Sequence, residues 1–139
     1  MHSIGFTGTQ KGMTTEQKIT FANLISTYIP TEFNHGDCIG ADADAHKLVR
    51  TRSPRTKIVG HPPTNTSKQA NCVFDYSWTP LDYMARNMNI VRQSNLLIAT
   101  PAEYQEQLRS GTWSTVRKAR SLKVPVIIIY PNGQTEKAT

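Results

Sequence analysis

The residues of this chain best suited to chemistry are small, rich in donors, and gathered in a few short stretches. The fullest is Arg109-Ser110-Gly111-Thr112-Trp113-Ser114-Thr115, which lies between an apolar run and a helical pattern. Ser, Gly and Thr at a helix start present unpaired backbone N–H groups and hydroxyls, an arrangement that holds a phosphate or another anion. The plainer reading is that Ser110 or Thr112 only caps the helix. Gly8-Thr9 and Gly36-Asp37, with Gly40 and Asp42 close behind, are further stretches of this kind. Their glycines serve either tight turns or close approach to a ligand. Asp42 stands near a helix start, where it either stabilises the helix dipole or accepts a ribose hydroxyl. Arg86, next to Asn87, carries a planar fork that matches a phosphate, or else makes a surface ion pair. His61 is a candidate for contact with a base or ribose, while His46 reads as a structural histidine. No serine or cysteine nucleophile stands with a plausible base, so the catalytic residues are left unassigned. No His, Cys and carboxylate cluster has metal-ligand spacing, so neither metal nor cofactor is expected.

These stretches need elements to position them. Short apolar runs at 4–7, 57–60, 96–100 and 124–130 read as strands, and 32–35 as a weaker edge or short strand. Thr14 as N-cap with Gln17 predicts a capping box that opens a helix ended by Pro30, with Ile19, Leu24, Ile25 and Tyr28 as its apolar stripe. Further helices are predicted over 41–51, from Pro80 at the first helical position, and over 112–122. Leu81, Met84, Met88 and Val91 form the apolar stripe of the third. Residues 61–79 read as a long polar connection whose aromatics Phe74, Tyr76 and Trp78 pack onto the sheet or fold over a ligand. Strands alternating with helices predict an α/β fold: a Rossmann-like, doubly wound parallel sheet of about five strands with helices on both faces. In such a sheet ligands bind beyond the carboxyl ends of the strands. Gly8, Gly36, His61 and Ser110 each follow a strand, so all are expected on one rim, which favours a phosphate site over a simple cap.

At 139 residues the chain suits one domain, predicted over 1–133, with 134–139 as a frayed polar tail. Its hydrophobic fraction is 37%, and no apolar run approaches a membrane span. No leader is apparent, and Cys38 and Cys72 match no disulfide or zinc spacing, so a cytoplasmic protein with reduced thiols is expected. The net charge of +6 suits an anionic partner. Its scattered basic residues form no dense stripe, which makes nucleic acid the weaker choice of partner.

The ordered stretches 40–46, 86–91 and 110–119 resemble segments of the SLOG superfamily, which includes the Rossmann domain of DNA-processing protein A and the lonely-guy phosphoribohydrolases. The resemblance spans nearly the whole chain. It implies a phosphate loop at Ser110, Gly111, Thr112 and Thr115, a nucleotide-type ligand and a homo-oligomer. The 84–87 segment is similar to the arginine-bearing segment of the lonely-guy enzymes, which cleave the N-glycosidic bond of nucleoside monophosphates. Where those enzymes place a catalytic glutamate after the loop, this chain has Thr115. A neutral hydroxyl cannot stabilise an oxocarbenium-like state. The expectation is therefore capture of a nucleotide or an ADP-ribose-type or cyclic derivative, with N-glycosidase activity and single-stranded DNA binding as alternatives.

Overall fold

The computed structural model describes residues 2–138. The strands are β1 (Ser3–Gly8), β2 (Glu32–His35), β3 (Lys57–Gly60), β4 (Tyr76–Ser77), β5 (Leu96–Thr100), β6 (Val126–Ile129) and β7 (Thr135–Ala138). The helices are α1 (Thr15–Tyr28), α2 (Ala41–Arg52), α3 (Tyr83–Arg92) and α4 (Gly111–Ser121). The strands form one seven-stranded sheet in the order β4-β3-β2-β1-β5-β6-β7. All neighbours are parallel except β6 and β7. The chain winds outward from β1 through β3, returns by α3 to place β5 on the other side of β1, and continues to β6. The strand order therefore reverses between β1 and β5.

The sheet is wider than the five strands expected. The extra strands come from segments whose polar composition conceals them. β4 lies inside the 61–79 connection, which also holds a single 3₁₀ turn at Thr66–Lys68. β7 is built from residues expected to trail as a tail; the Pro131-Asn132-Gly133 turn folds them back so that Thr135 to Ala138 pair with β6. β2 is an interior strand between β1 and β3 rather than an edge.

Period-two alternation along the strands divides the core between the two faces. Phe6, Phe33, Ile58 and Ile98 meet Phe21 and Ile25 of α1 and Ala45 and Val49 of α2. Leu97, Ala99 and Ile128 meet Ile90 and Val91 of α3 and Trp113 and Val116 of α4 on the other face. No helix among the described residues is long and apolar enough to cross a membrane.

Helix α1 opens with the capping box read from the sequence: Thr14 Oγ1 accepts from the Gln17 N–H at 3.0 Å and Gln17 Oε1 accepts from the Thr14 N–H at 3.0 Å. Its buried face is Gln17, Phe21, Ala22 and Ile25, and Ile19 of the expected stripe is exposed. Gln17 takes an inward position because its Nε2 donates to the carbonyls of Pro101 and Ile129, each at 2.9 Å, satisfying backbone just beyond β5 and at the end of β6. Replacing Gln17 with leucine is expected to lower stability by about 2–3 kcal/mol in urea melts, since it orphans two buried acceptors and half the cap.

Helix α3 begins later than expected. Leu81 is held extended by its N–H to Pro62 O and its carbonyl to Thr64 N–H, so Pro80 cannot open the helix. Asp82 caps it, accepting from the Ala85 N–H at 2.8 Å. The inward face is Arg86, Ile90 and Val91, and Met84 is 70% exposed. The apolar period of this helix is displaced because a charged residue occupies its innermost turn.

Candidate functional site

A cavity of about 500 Å³ opens at the carboxyl ends of β1, β2 and β5, where the strand order reverses. Gly8 and Thr9 line it from the end of β1 and the loop after it, Gly36 from the connection into α2 and Asp42 from the first turn of that helix. Arg86 and Asn87 line it from α3, and Ser110, Gly111 and Thr112 from the start of α4. Asp37, Gly40, His61 and Thr115, expected on the same rim, lie outside this lining.

Each of these four has a structural task instead. Asp37 is buried with φ +57°, and its carboxylate accepts from Gln69 Nε2 and the Cys72 N–H, both at 2.9 Å. It therefore pins the 61–79 segment to the end of β2. Gly40 has φ +85°, and a Cβ there would stand 2.2 Å from the Gln10 carbonyl oxygen. The backbone approach it permits lets the Ala41 N–H reach Thr9 O at 2.9 Å, which fixes the loop after β1. His61 is buried, stacks on Trp78 with centroids 5.3 Å apart, and bonds Asn34 Oδ1 through Nε2 at 2.9 Å. Burial and then Arg86 push its pKa down to about 4, so the ring is neutral. Thr115 is buried one turn into α4 and donates to Gly111 O at 2.9 Å.

The N-terminus of α4 carries the cap foreseen for it. Ser110 is the N-cap, accepting from the Trp113 N–H at 3.2 Å. The N–H groups of Gly111 and Thr112 have no acceptor among the described residues. A Cβ built on Gly111 would meet nothing within 4 Å, in contrast to the other glycines lining the cavity. The first turn of α4 thus combines N–H groups without an acceptor among the described residues and open space at Gly111.

Arg86, on α3, is only 6% exposed. Its Nη1 donates to Gly36 O and to His61 O, joining the ends of β2 and β3, and its Nε donates to Asn87 Oδ1 at 2.7 Å. Tyr83 lies against the guanidinium, 5.3 Å from ring centroid to Cζ. Arg86 is thus mainly a clamp on backbone carbonyls, and its Nη2 has no partner among the described residues.

Asp42 is also 6% exposed and accepts from the Cys38 N–H at 3.1 Å. Burial raises its carboxyl from 3.8 to about 6, against the downward pull of Arg86 and the backbone donors of Cys38 and Gly36. Between those values the folded state holds a proton that the unfolded chain has released, so this group makes stability fall as pH rises from about 4 to 6. Asp42→Asn removes the dependence. Urea melts at pH 4 and pH 7 are expected to show the variant gaining about 2–3 kcal/mol relative to wild type.

The sequence reading missed Lys11, Cys38, Tyr83, Glu103 and Arg109, which also line the cavity. Glu103, held by Trp113 Nε1 at 2.9 Å, supplies a carboxylate beside the loop that has none at Thr115. It belongs to an irregular stretch with no periodic pattern, so nothing in the sequence distinguishes it from its polar neighbours. Arg109 adjoins the Ser-Gly-Thr stretch, and that proximity was the available signal. Burial raises the Cys38 thiol to about 11 and the Cys72 thiol to about 12, so neither is a thiolate nucleophile at neutral pH.

Behind the cavity, His35, His46 and Cys72 bring ligand-type atoms within 4.8 Å of one another. The Asp37 N–H donates to His35 Nδ1 at 3.0 Å, which leaves the proton on Nε2, and that nitrogen lies 2.9 Å from His46 Nδ1. The facing nitrogens are occupied with each other rather than free for a metal. Phe74 packs against both rings, so this aromatic joins the core rather than a ligand.

No protein-family model matches the chain, and no curated protein does. Solved structures do. The molybdenum cofactor binding protein from the phototrophic bacterium Rippkaea orientalis aligns with a TM-score of 0.70 at 24% identity, over 92% of this chain and 76% of that one. The structural-genomics target TM1055 aligns with a TM-score of 0.65 at 15% identity, over 91% of this chain and 72% of that one. These likenesses show the Rossmann-like α/β fold.

Proposed function

We propose that this chain is a SLOG-type domain that binds a nucleotide or a nucleotide-derived molecule, such as an ADP-ribose-type or cyclic compound, with a phosphate on the first turn of α4. The observation that carries the reading is the open space at Gly111, with N–H groups of Gly111 and Thr112 that have no acceptor among the described residues. Lys11 and Arg109 add positive charge to the lining. The cavity volume falls within the ordinary range for small-molecule sites. The Rippkaea orientalis neighbour is described as a cofactor binder, which agrees with a small-molecule cleft. In this reading the protein is a cytoplasmic sensor or sequestering domain that works as a homo-oligomer. Calorimetry against nucleoside monophosphates, ADP-ribose and cyclic derivatives tests it, and absence of binding to all of them ends it.

One observation favours a second reading, N-glycosidase activity. Asp42 and Glu103 place two carboxylates in the lining, and the titration of Asp42 near 6 suits an acid–base group at neutral pH. Incubation with nucleoside monophosphates followed by chromatography would then release free base and ribose phosphate. Recovery of intact nucleotide from the protein rejects that reading.

A further inference from the structure

We infer that Tyr83 is a stacking platform for a planar heterocycle, so that the cleft takes a phosphorylated nucleoside rather than a bare sugar phosphate. The inference rests on the phosphate reading above and assigns what the ligand carries beyond its phosphate. Tyr83, Arg86, Asn87 and Ile90 all line the cavity. Their offsets of three, four and seven residues put them on one face of α3, so the helix turns Tyr83 toward the cleft. Helices α3 and α4 lead into the parallel strands β5 and β6, and both pack on the same face of the sheet. Their first turns, with Tyr83 in one and Gly111 in the other, therefore both stand at the carboxyl rim.

The ring is held in place and one of its faces is taken. The guanidinium of Arg86 lies over it, 5.3 Å from Cζ to the centroid, and the Tyr83 hydroxyl donates to Asn65 O at 3.4 Å. Tyr83 is still 37% exposed, whereas Phe6, the other aromatic residue of the lining, is 1% exposed. Tyr83 is thus the aromatic of this lining with surface to offer a ligand. The face of an aromatic ring is electron-rich, so it repels a phosphate and favours another flat ring. The cation on its inner side draws that density toward itself, which suits the outer side to a neutral heterocycle rather than to a second cation. Every nucleobase has such a flat π face, so any of the common bases can lie on the ring.

The test is calorimetry with ribose 5-phosphate and the 5′-monophosphates of adenosine, guanosine, cytidine and uridine. Wild-type protein is expected to bind at least one of the nucleotides about tenfold or more tightly than ribose 5-phosphate, the usual scale for one stacked base. Tyr83→Ala is expected to lower the affinity for that nucleotide about tenfold and leave ribose 5-phosphate within about twofold. Tyr83→Phe keeps the ring and is expected to stay within about threefold of wild type for both. Nucleotides that bind no more tightly than ribose 5-phosphate overturn the inference and leave the phosphate reading standing. So does a Tyr83→Ala variant that weakens both classes equally, as a displaced Arg86 would, or that weakens neither. If none of the five compounds binds, the phosphate reading falls and this inference with it. The wild-type comparison is decisive even where a variant does not fold.

Discussion

Gly111→Asp is expected to weaken phosphate binding by more than about 100-fold while leaving the melting temperature unchanged or slightly raised. The two effects have opposite physical origins. The new side chain extends into space where a Cβ meets nothing within 4 Å, so the fold needs no rearrangement to accept it. A carboxylate in the first turn of α4 interacts favourably with the helix dipole, by about 0.3–1 kcal/mol. It also occupies the anion's place and repels it. Charge-assisted hydrogen bonds contribute roughly 1.5–3 kcal/mol each, and losing two removes at least a hundredfold in affinity. Gly111→Ala separates the terms: it blocks the space without charge, and should weaken binding less at equal or better stability. Calorimetry paired with thermal melts checks both. A variant that melts as wild type and binds as wild type would place the anion elsewhere.

Arg86→Ala is expected to cost about 3–4 kcal/mol, equivalent to a fall of roughly 10 °C in Tm, with no ligand present. The guanidinium is nearly buried and holds Gly36 O and His61 O, so its removal orphans two carbonyls at the ends of adjacent strands. It also takes away the positive neighbour that restrains the Asp42 carboxyl, whose pKa should rise further. Arg86→Lys keeps the charge but lacks the fork that reaches both carbonyls and Asn87, and should recover less than half of the loss. Urea denaturation of the three proteins measures this. Were Arg86 only a ligand contact, Arg86→Ala would match wild type in stability.

The alternating pattern of strand and helix was legible because buried parallel strands read as short aliphatic runs. Leu96 to Thr100 and Val126 to Ile129 are buried throughout. Tyr76-Ser77 and Thr135 to Ala138 were not legible, since strands at a sheet margin need no apolar run and their pairing depends on a neighbour far along the chain. The placement of Gly8, Asp42, Arg86 and Ser110 around one cleft followed from topology, as each sits near the end of a strand or faces one. What topology could not separate was contact from support. Asp37 and Gly40 stand in the same turn as Asp42, yet one ties down a loop and the other admits a carbonyl, because φ and side-chain direction differ residue by residue. For Arg86 the carbonyls of Gly36 and His61 were not legible, because a guanidinium suits a phosphate and a pair of carbonyls equally well in sequence.

The two margins of the sheet differ from its middle in a way that bears on self-association. An uncovered strand edge is a template for other chains, and the most dangerous template here would be β6, with four consecutive buried aliphatic residues. β7 occupies that edge in antiparallel register and turns Glu136 and Lys137 toward solvent, so an approaching strand meets charges. At the other margin β4 offers only Tyr76 and Ser77 before Pro80 interrupts the backbone donors. The polar residues that looked dispensable in the sequence thus act as guards, and a chain deprived of them should polymerise through β6 before it loses its cleft.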